Sequence, residues 1–262
     1  MAMQACKQLG YSAVEFDVML SSDGLPVLMH DENLGRTVPG VGRACDLTRV
    51  ELTSMDAAKW HSTGGIAPAS IGHQWSQSGN VPCFEDVLTF CKENDIWMNI
   101  EIKPATGQDI STGTVVAKYT KSAFEKELSQ LDDHYSAFNY MAIAALLAAL
   151  PLISSFSYDA LLAAKEEAPN IPRAFLVDDL NSMESQNWRK QLQEIEAVAV
   201  HTNHENMTEE LAAEIRALGY ALFFYTVNTQ EECDRAHILG VDTICTDTLI
   251  SPHNQISLEA KV

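Results

Sequence analysis

Positive charge is scarce in this 262-residue chain: 17 Lys and Arg stand against 36 Asp and Glu, a formal charge of −19. So acidic a surface repels phosphate backbones and anionic lipid, which excludes nucleic acid and membrane as partners. An anionic small substrate is repelled as well, so a site that handles one needs local positive charge or a bound cation. Long apolar runs are missing too. The longest, Met141 to Ile153, is interrupted by Pro151 and falls short of the ~20 residues of a membrane span; it reads as a buried helix running into a buried strand. The six cysteines contain no C-x-x-C pair, and a chain of this size needs no disulfide staples, so reduced thiols are expected. No charged segment followed by an apolar one opens the chain, and a cytoplasmic location is expected. Gly-x-Ser-x-Gly, P-loop and dinucleotide-binding glycine patterns are all absent, which argues against those nucleophile and nucleotide classes.

A core is well provided for, since 46% of residues are hydrophobic. Met3, Cys6 and Leu9 sit at helical spacing before Gly10, so the chain is expected to begin in a helix. Seven strands are then predicted: Ala13 to Leu20, Trp97 to Lys103, Leu152 to Phe156, Arg173 to Val177, Ala197 to Asn203, Ala221 to Val227 and Thr243 to Asp247. Helical composition falls between them at Phe84 to Glu93, Tyr158 to Glu167, Thr208 to Leu218 and Gln230 to Leu239. Such alternation demands a mostly parallel sheet. At ~250 residues it fits a TIM (β/α)8-type barrel, an α/β fold, with an open doubly wound sheet as the alternative. Residues 1–262 read as a single barrel domain. Seven strands plus a hairpin arm, with a helix where a strand is due, imply a barrel lacking its first strand. The irregular stretch 35–82, which carries Trp60, His61, Gly64, Gly65, His73 and Trp75, reads as an insertion over the barrel mouth.

Period-two alternation in Val14-Glu15-Phe16-Asp17-Val18 puts Glu15 and Asp17 on one face. In isolation that is a strand with a solvated acidic face; in a barrel whose apolar face meets helices, the carboxylates point inward. Asn99-Ile100-Glu101-Ile102-Lys103 repeats the arrangement, and charges pointing inward from two strands are costly unless paired or metal-bound. Asp23-Gly24 is a strong two-residue hairpin turn, and pairing Ser22 with Leu25 places Asp17 opposite His30. His30 then reads as a structural histidine or as a general acid or base beside the acidic centre. Glu15, Asp17 and Glu101 would form an all-oxygen site suited to Mg2+ or Ca2+; the alternative is a cluster neutralised by Lys103 alone. A divalent cation together with Lys103 supplies the positive charge that an acidic chain needs to hold phosphate. Polarisation of a phosphoryl oxygen, with His30 moving a proton, amounts to phosphodiester hydrolysis. His201 shares a strand face with Asn203 and is a candidate for lining the pocket, with His204 just beyond. His61, His73, His134, His237 and His253 read as surface or loop residues, and no pattern aims Arg36 or Arg43 at phosphate.

Glu15-Phe16-Asp17, the run Asp23 through His30-Asp31 and Asn99 through Lys103-Pro104 together resemble the glycerophosphodiester phosphodiesterase family, bacterial cytoplasmic type. Ser154-Ser155-Phe156, Tyr225 through Asn228, and Gly240 through Asp247 continue the likeness in family order across nearly the whole chain. The resemblance implies hydrolysis of small glycerophosphodiesters to glycerol 3-phosphate and an alcohol. Glu15, Asp17 and Glu101 match its metal ligands, His30 a catalytic histidine and Lys103 a phosphate-contacting residue. The family opens with a strand ending in His-Arg and a following Glu-Asn-Thr, neither of which occurs here. That departure implies two further readings: a homologue that binds metal and phosphodiester with impaired turnover, or a related phosphodiesterase that forms a cyclic phosphate. Neither the alcohol nor the oligomeric state is implied.

Overall fold

Alternation along the strands decides what each side of the sheet meets. In the computed structural model, which describes residues 2–58, 79–136, 140–182 and 186–248, Phe16 and Val18 pack outward with Phe84, Val87 and Leu88, and the Phe16 and Phe84 rings meet edge to face at 6.2 Å. Glu15 and Asp17 take the opposite side. The same division recurs on the next strand, where Met98, Ile100 and Ile102 join the outer core while Asn99 and Glu101 face in.

Helix α1 (Ala2–Gln8) precedes β1 (Ala13–Leu20), β2 (Pro26–Leu28), α2 (Arg49–Thr53), α3 (Phe84–Glu93) and β3 (Trp97–Ile102). Helices α4 (Asp109–Ala123), α5 (Glu125–Ser136) and α6 (Tyr140–Ala149) lead to β4 (Leu152–Ser155) and α7 (Tyr158–Glu167). Then come β5 (Arg173–Val177), α8 (Trp188–Glu194), β6 (Ala199–Asn203), α9 (Glu209–Ala217), β7 (Ala221–Tyr225), α10 (Gln230–Ile238) and β8 (Thr243–Ile244). All seven predicted strands are present, Ala13–Leu20 and Arg173–Val177 with the expected bounds and the other five shortened. The sheet runs β2-β1-β3-β4-β5-β6-β7-β8, antiparallel only at the β1–β2 hairpin, and curls with its helices into an α/β arrangement of the TIM-barrel kind. Among the described residues β2 and β8 are its ends. The curl nevertheless returns β8 towards β1, for Cys245 Sγ lies 4.0 Å from Glu15 Oε2.

Helix starts follow local chemistry. Thr229 and Glu232 form a capping box at α10, Thr208 caps α9 through the Leu211 N–H, and Ser157 caps α7 through the Ala160 N–H. Helix α4 presses against α7 at Gly113, where an added Cβ would fall 2.2 Å from the Ala160 carbonyl oxygen. Inside the sheet, Leu152, Ala174 and Ala199 with Trp97 form a separate apolar floor. A smaller core of Met19, Val27, Met29, Val38, Ala44, Cys45, Leu52, Val81 and Ala105 gathers the hairpin and the described parts of 35–82.

Two expectations need correction. The hairpin turn holds three residues, not two: Ser21 N–H donates to the Leu25 carbonyl (3.0 Å), and Gly24 adopts φ +72°, as a three-residue turn requires. Pairing is therefore shifted by one, Leu20 facing Pro26 and Val18 facing Leu28, and Asp17 lies opposite Met29, whose N–H it accepts at 3.0 Å. Helix α6, expected buried, is largely exposed, with Met141 at 84%. Its apolar residues encircle the helix, so α5, which packs beside it, can cover only part of them. Residues 59–78, with Trp60, His61, Gly64, Gly65, His73 and Trp75, lie outside the described residues, as does His253.

Candidate active site

Strands β1 and β3 lie side by side and in register, Asp17 facing Glu101 and Glu15 facing Asn99. Inward projection from adjacent parallel strands thus converges the three predicted carboxylates, and one oxygen from each of Glu15, Asp17 and Glu101 lies within 4.8 Å of the others. Lys103, just past the end of β3, reaches back over them. Its Nζ is 2.8 Å from Glu101 Oε1 and 3.3 Å from Asp17 Oδ1, and it sits 5.6 Å from the centre of the Phe156 ring.

Burial and mutual repulsion act together on this cluster. Removal from water, then the charges of Asp17 and Glu101, raise the Glu15 carboxyl well above the ordinary carboxylate range. Burial followed by Asp17 raises Glu101, against the opposing pull of Lys103. Burial alone would lower the Lys103 ammonium, but Asp17 and Glu101 outweigh it and hold the group above its usual value. Lys103 therefore stays charged and cannot neutralise three carboxylates by itself. Glu15 Oε1 is buried without a hydrogen-bond partner. Three converging carboxylates and an orphaned buried oxygen fit a hard divalent cation, whose ligands are oxygens. A thiol borders this centre: burial, then Glu15, raises the Cys245 pKa far above that of a free cysteine.

His30 arrives by a route other than strand alternation. The one-residue shift in the hairpin would carry it to the wrong face if β2 continued. But β2 stops at Leu28, whose N–H turns to the Pro82 carbonyl (3.1 Å), and the chain bends so that His30 Nε2 comes 3.4 Å from Lys103 Nζ. Its Nδ1 lies 2.6 Å from Asp31 Oδ1, and Arg36 grips Asp31 with Nε at 2.7 Å from Oδ2 and Nη2 at 2.6 Å from Oδ1. A cavity of about 800 Å3 opens over these groups, lined by His30, Asp31, Arg36, Glu101, Lys103 and Phe156, with Leu34 and Ser155 among its other walls.

Asp31 and Arg36 were not expected in the site; the only trace of them is a His-Asp pair followed five residues later by Arg. Other histidines go elsewhere. His201 faces inward from β6 but is 1% exposed, stacks on Phe223 at 4.2 Å between ring centres and is held neutral by burial, its pKa pushed down to about 3. His204 turns from the mouth to within 3.8 Å of Glu232. Among the described residues His30 is the one histidine lining the cavity.

The profile of the glycerophosphoryl diester phosphodiesterase family matches residues 1–250. The chain belongs to that family. A glycerophosphodiester phosphodiesterase of Caldanaerobacter subterraneus subsp. tengcongensis is 29% identical over 260 residues, covering 99% of this chain and 90% of its own. Its Bacillus subtilis counterpart is 24% identical, covering 94% and 77%. An Oleispira antarctica phosphodiesterase, solved with its product sn-glycerol-3-phosphate, superposes with a TM-score of 0.72 at 24% identity, over 94% of this chain and 85% of that one. Membership accounts for the overall architecture, and among the described residues no helix is long and apolar enough to cross a membrane.

Proposed function

We propose that this chain is a glycerophosphodiester phosphodiesterase that hydrolyses a small glycerophosphodiester to glycerol 3-phosphate and an alcohol with the aid of a divalent cation, Mg2+ or Ca2+. The carrying observation is that Glu15, Asp17 and Glu101 converge beneath Lys103, and that Glu101, Lys103 and His30 line one open cavity. Glu15, Asp17 and Glu101 would hold the cation, which supplies Lewis acidity towards a phosphoryl oxygen. Lys103 donates hydrogen bonds to the oxygens on which charge develops, fixed for that task by Asp17 and Glu101. His30 transfers a proton at Nε2, the nitrogen on the Lys103 side, between the attacking oxygen and the leaving alcohol. Phe156 offers an apolar wall, 44% exposed, to the organic part of the substrate. Stretch 35–82 is proposed to shape the entrance and so the choice of alcohol. A cytoplasmic setting is proposed with it, in keeping with six cysteines that are all free.

A second reading, binding with impaired turnover, is favoured by a single histidine at the described cavity, since a two-histidine mechanism that loses one member loses ~10²–10⁴ in rate. Product release and ligand binding measured on the same chain separate the two. Release of glycerol 3-phosphate that needs Mg2+ or Ca2+ and vanishes in Glu15→Ala, Asp17→Ala supports hydrolysis. Saturable, metal-dependent binding without product supports the impaired form, and a cyclic phosphate as product supports the related cyclising chemistry. Full activity in a folded double variant would refute the metal assignment.

A further inference from the structure

His30 is held by groups that leave it only one way to place its proton. Asp31 is a carboxylate kept ionised by the Arg36 hydrogen bonds, which lower its pKa against a smaller opposing effect of burial; it can only accept. Lys103 is an ammonium and can only donate. Nδ1, at 2.6 Å from Asp31 Oδ1, must therefore carry the hydrogen, and Nε2, at 3.4 Å from Lys103 Nζ, must present its lone pair. The opposite tautomer would set an Nδ1 lone pair against a carboxylate oxygen and an N–H against an ammonium. Imidazolium would keep the second conflict. Arg36 Nη2 also comes within 3.3 Å of Nδ1, but with Nδ1 protonated both are donors, and they converge on Asp31 Oδ1.

The loop that supplies Asp31 and Arg36 is itself tied down. Leu34 N–H donates to the Gly42 carbonyl (2.9 Å) and Gly35 N–H to the Val38 carbonyl (2.8 Å), a turn that brings Arg36 back over Asp31. Next in sequence, Glu32 pairs with Arg43 at 2.7 Å and accepts the Thr106 hydroxyl at 2.8 Å, fastening the loop to the segment beyond β3. His30 and Arg36 are both about half exposed, with side chains 52% and 54% accessible, so packing does not orient the imidazole. Its hydrogen bonds do.

We propose that Asp31 and Arg36 are positioning residues: Arg36 clamps Asp31 in a bidentate grip, and Asp31 fixes His30 as the Nδ1–H tautomer with Nε2, on the Lys103 side, as a proton acceptor. The inference rests on the proposed function only in that His30 acts there. Its test reads the tautomer directly, by long-range proton–nitrogen correlation NMR on the full chain labelled with 15N-histidine, at a pH where the ring is neutral, the signal being assigned with His30→Gln. The expected spectrum is that of a protonated Nδ1 and a bare Nε2. Asp31→Asn, whose amide can donate, should reverse or mix the tautomers, and Arg36→Ala should mix them, while Arg36→Lys restores part of the wild-type signal. Where turnover is measurable, Asp31→Asn should lower kcat by about 10–10² with KM altered less than about threefold, short of the ~10⁴ loss seen where an analogous aspartate is fully buried. A wild-type Nε2–H signal, or a tautomer unchanged in folded Asp31→Asn and Arg36→Ala, overturns the inference. Because the spectrum needs no substrate, a chain that cleaves no glycerophosphodiester but displays the Nδ1–H signal refutes the hydrolytic reading and leaves the inference standing.

Discussion

Within the acidic centre the electrostatic tension falls on Glu15, whose carboxyl is buried, crowded by Asp17 and Glu101, and orphaned at Oε1. Glu15→Gln keeps the shape and removes one of the clashing charges. Without metal, then, this variant should be more stable than the wild type, melting higher by about 2–4 °C for each kcal/mol of relieved repulsion in a chain of this size. With Mg2+ or Ca2+ the order should invert, because the wild type gains stability from binding and the variant does not. Thermal unfolding with and without the cation checks both signs. If Glu15→Gln responds to metal as the wild type does, Glu15 is not a ligand. The raised carboxyls also set a pH dependence. Between the ordinary carboxylate range and the raised values the metal-free folded chain holds extra protons, so its stability falls as pH rises, and cation affinity climbs over the same interval as those protons are displaced.

Strands and helices carry a different set of consequences. Helix α4 owes its fit against α7 to Gly113, and Gly113→Ala would drive a methyl into the Ala160 carbonyl. Overpacking of this kind costs about 1–3 kcal/mol, readable as a lowered urea midpoint with unchanged slope; an unshifted midpoint would place the helices farther apart. The same helix was illegible in the sequence. Its run Asp109–Ala123 is rich in Ser, Thr and Val, poor helix formers, and its formation rests on packing. Strands were legible, because inward carboxylates alternating with Ile, Val and Phe leave a period-two signature on β1 and β3. Glu15, Asp17, Glu101 and Lys103 therefore fell together from pattern alone. His30 was expected opposite Asp17 and instead meets Lys103 from beyond the strand: Asp-Gly marks a turn but not whether it holds two residues or three, and the bend after β2 undid the resulting slip. Arg36 was noticed but not assigned, because its contact with Asp31 is made by a loop, which has no period to read.

Across the molecule as a whole, the charge of −19 now has a specific complement. Lys103 and Arg36 line the same cavity, each engaged with carboxylates, so under the proposed function a bound cation would supply the positive charge that a phosphodiester needs. Acid stability reports on the interior. His201 is kept neutral in the folded chain down to about pH 3, whereas an exposed imidazole takes up its proton near 6.5. The unfolded chain thus binds one more proton between those values, and stability falls as pH drops, by about 1.4 kcal/mol per pH unit. Comparing His201→Gln with wild type by urea unfolding from pH 6.5 to 4 should flatten that slope by one proton; identical slopes would mean that His201 is reachable by solvent. The most direct measurement follows a glycerophosphodiester by phosphorus NMR in the presence of the metal-stripped chain, then with Mg2+ or Ca2+ added, then with chelator. Conversion to glycerol 3-phosphate only while the cation is present is the predicted result. Conversion at the same rate in chelator would contradict a carboxylate-held metal at the heart of the site.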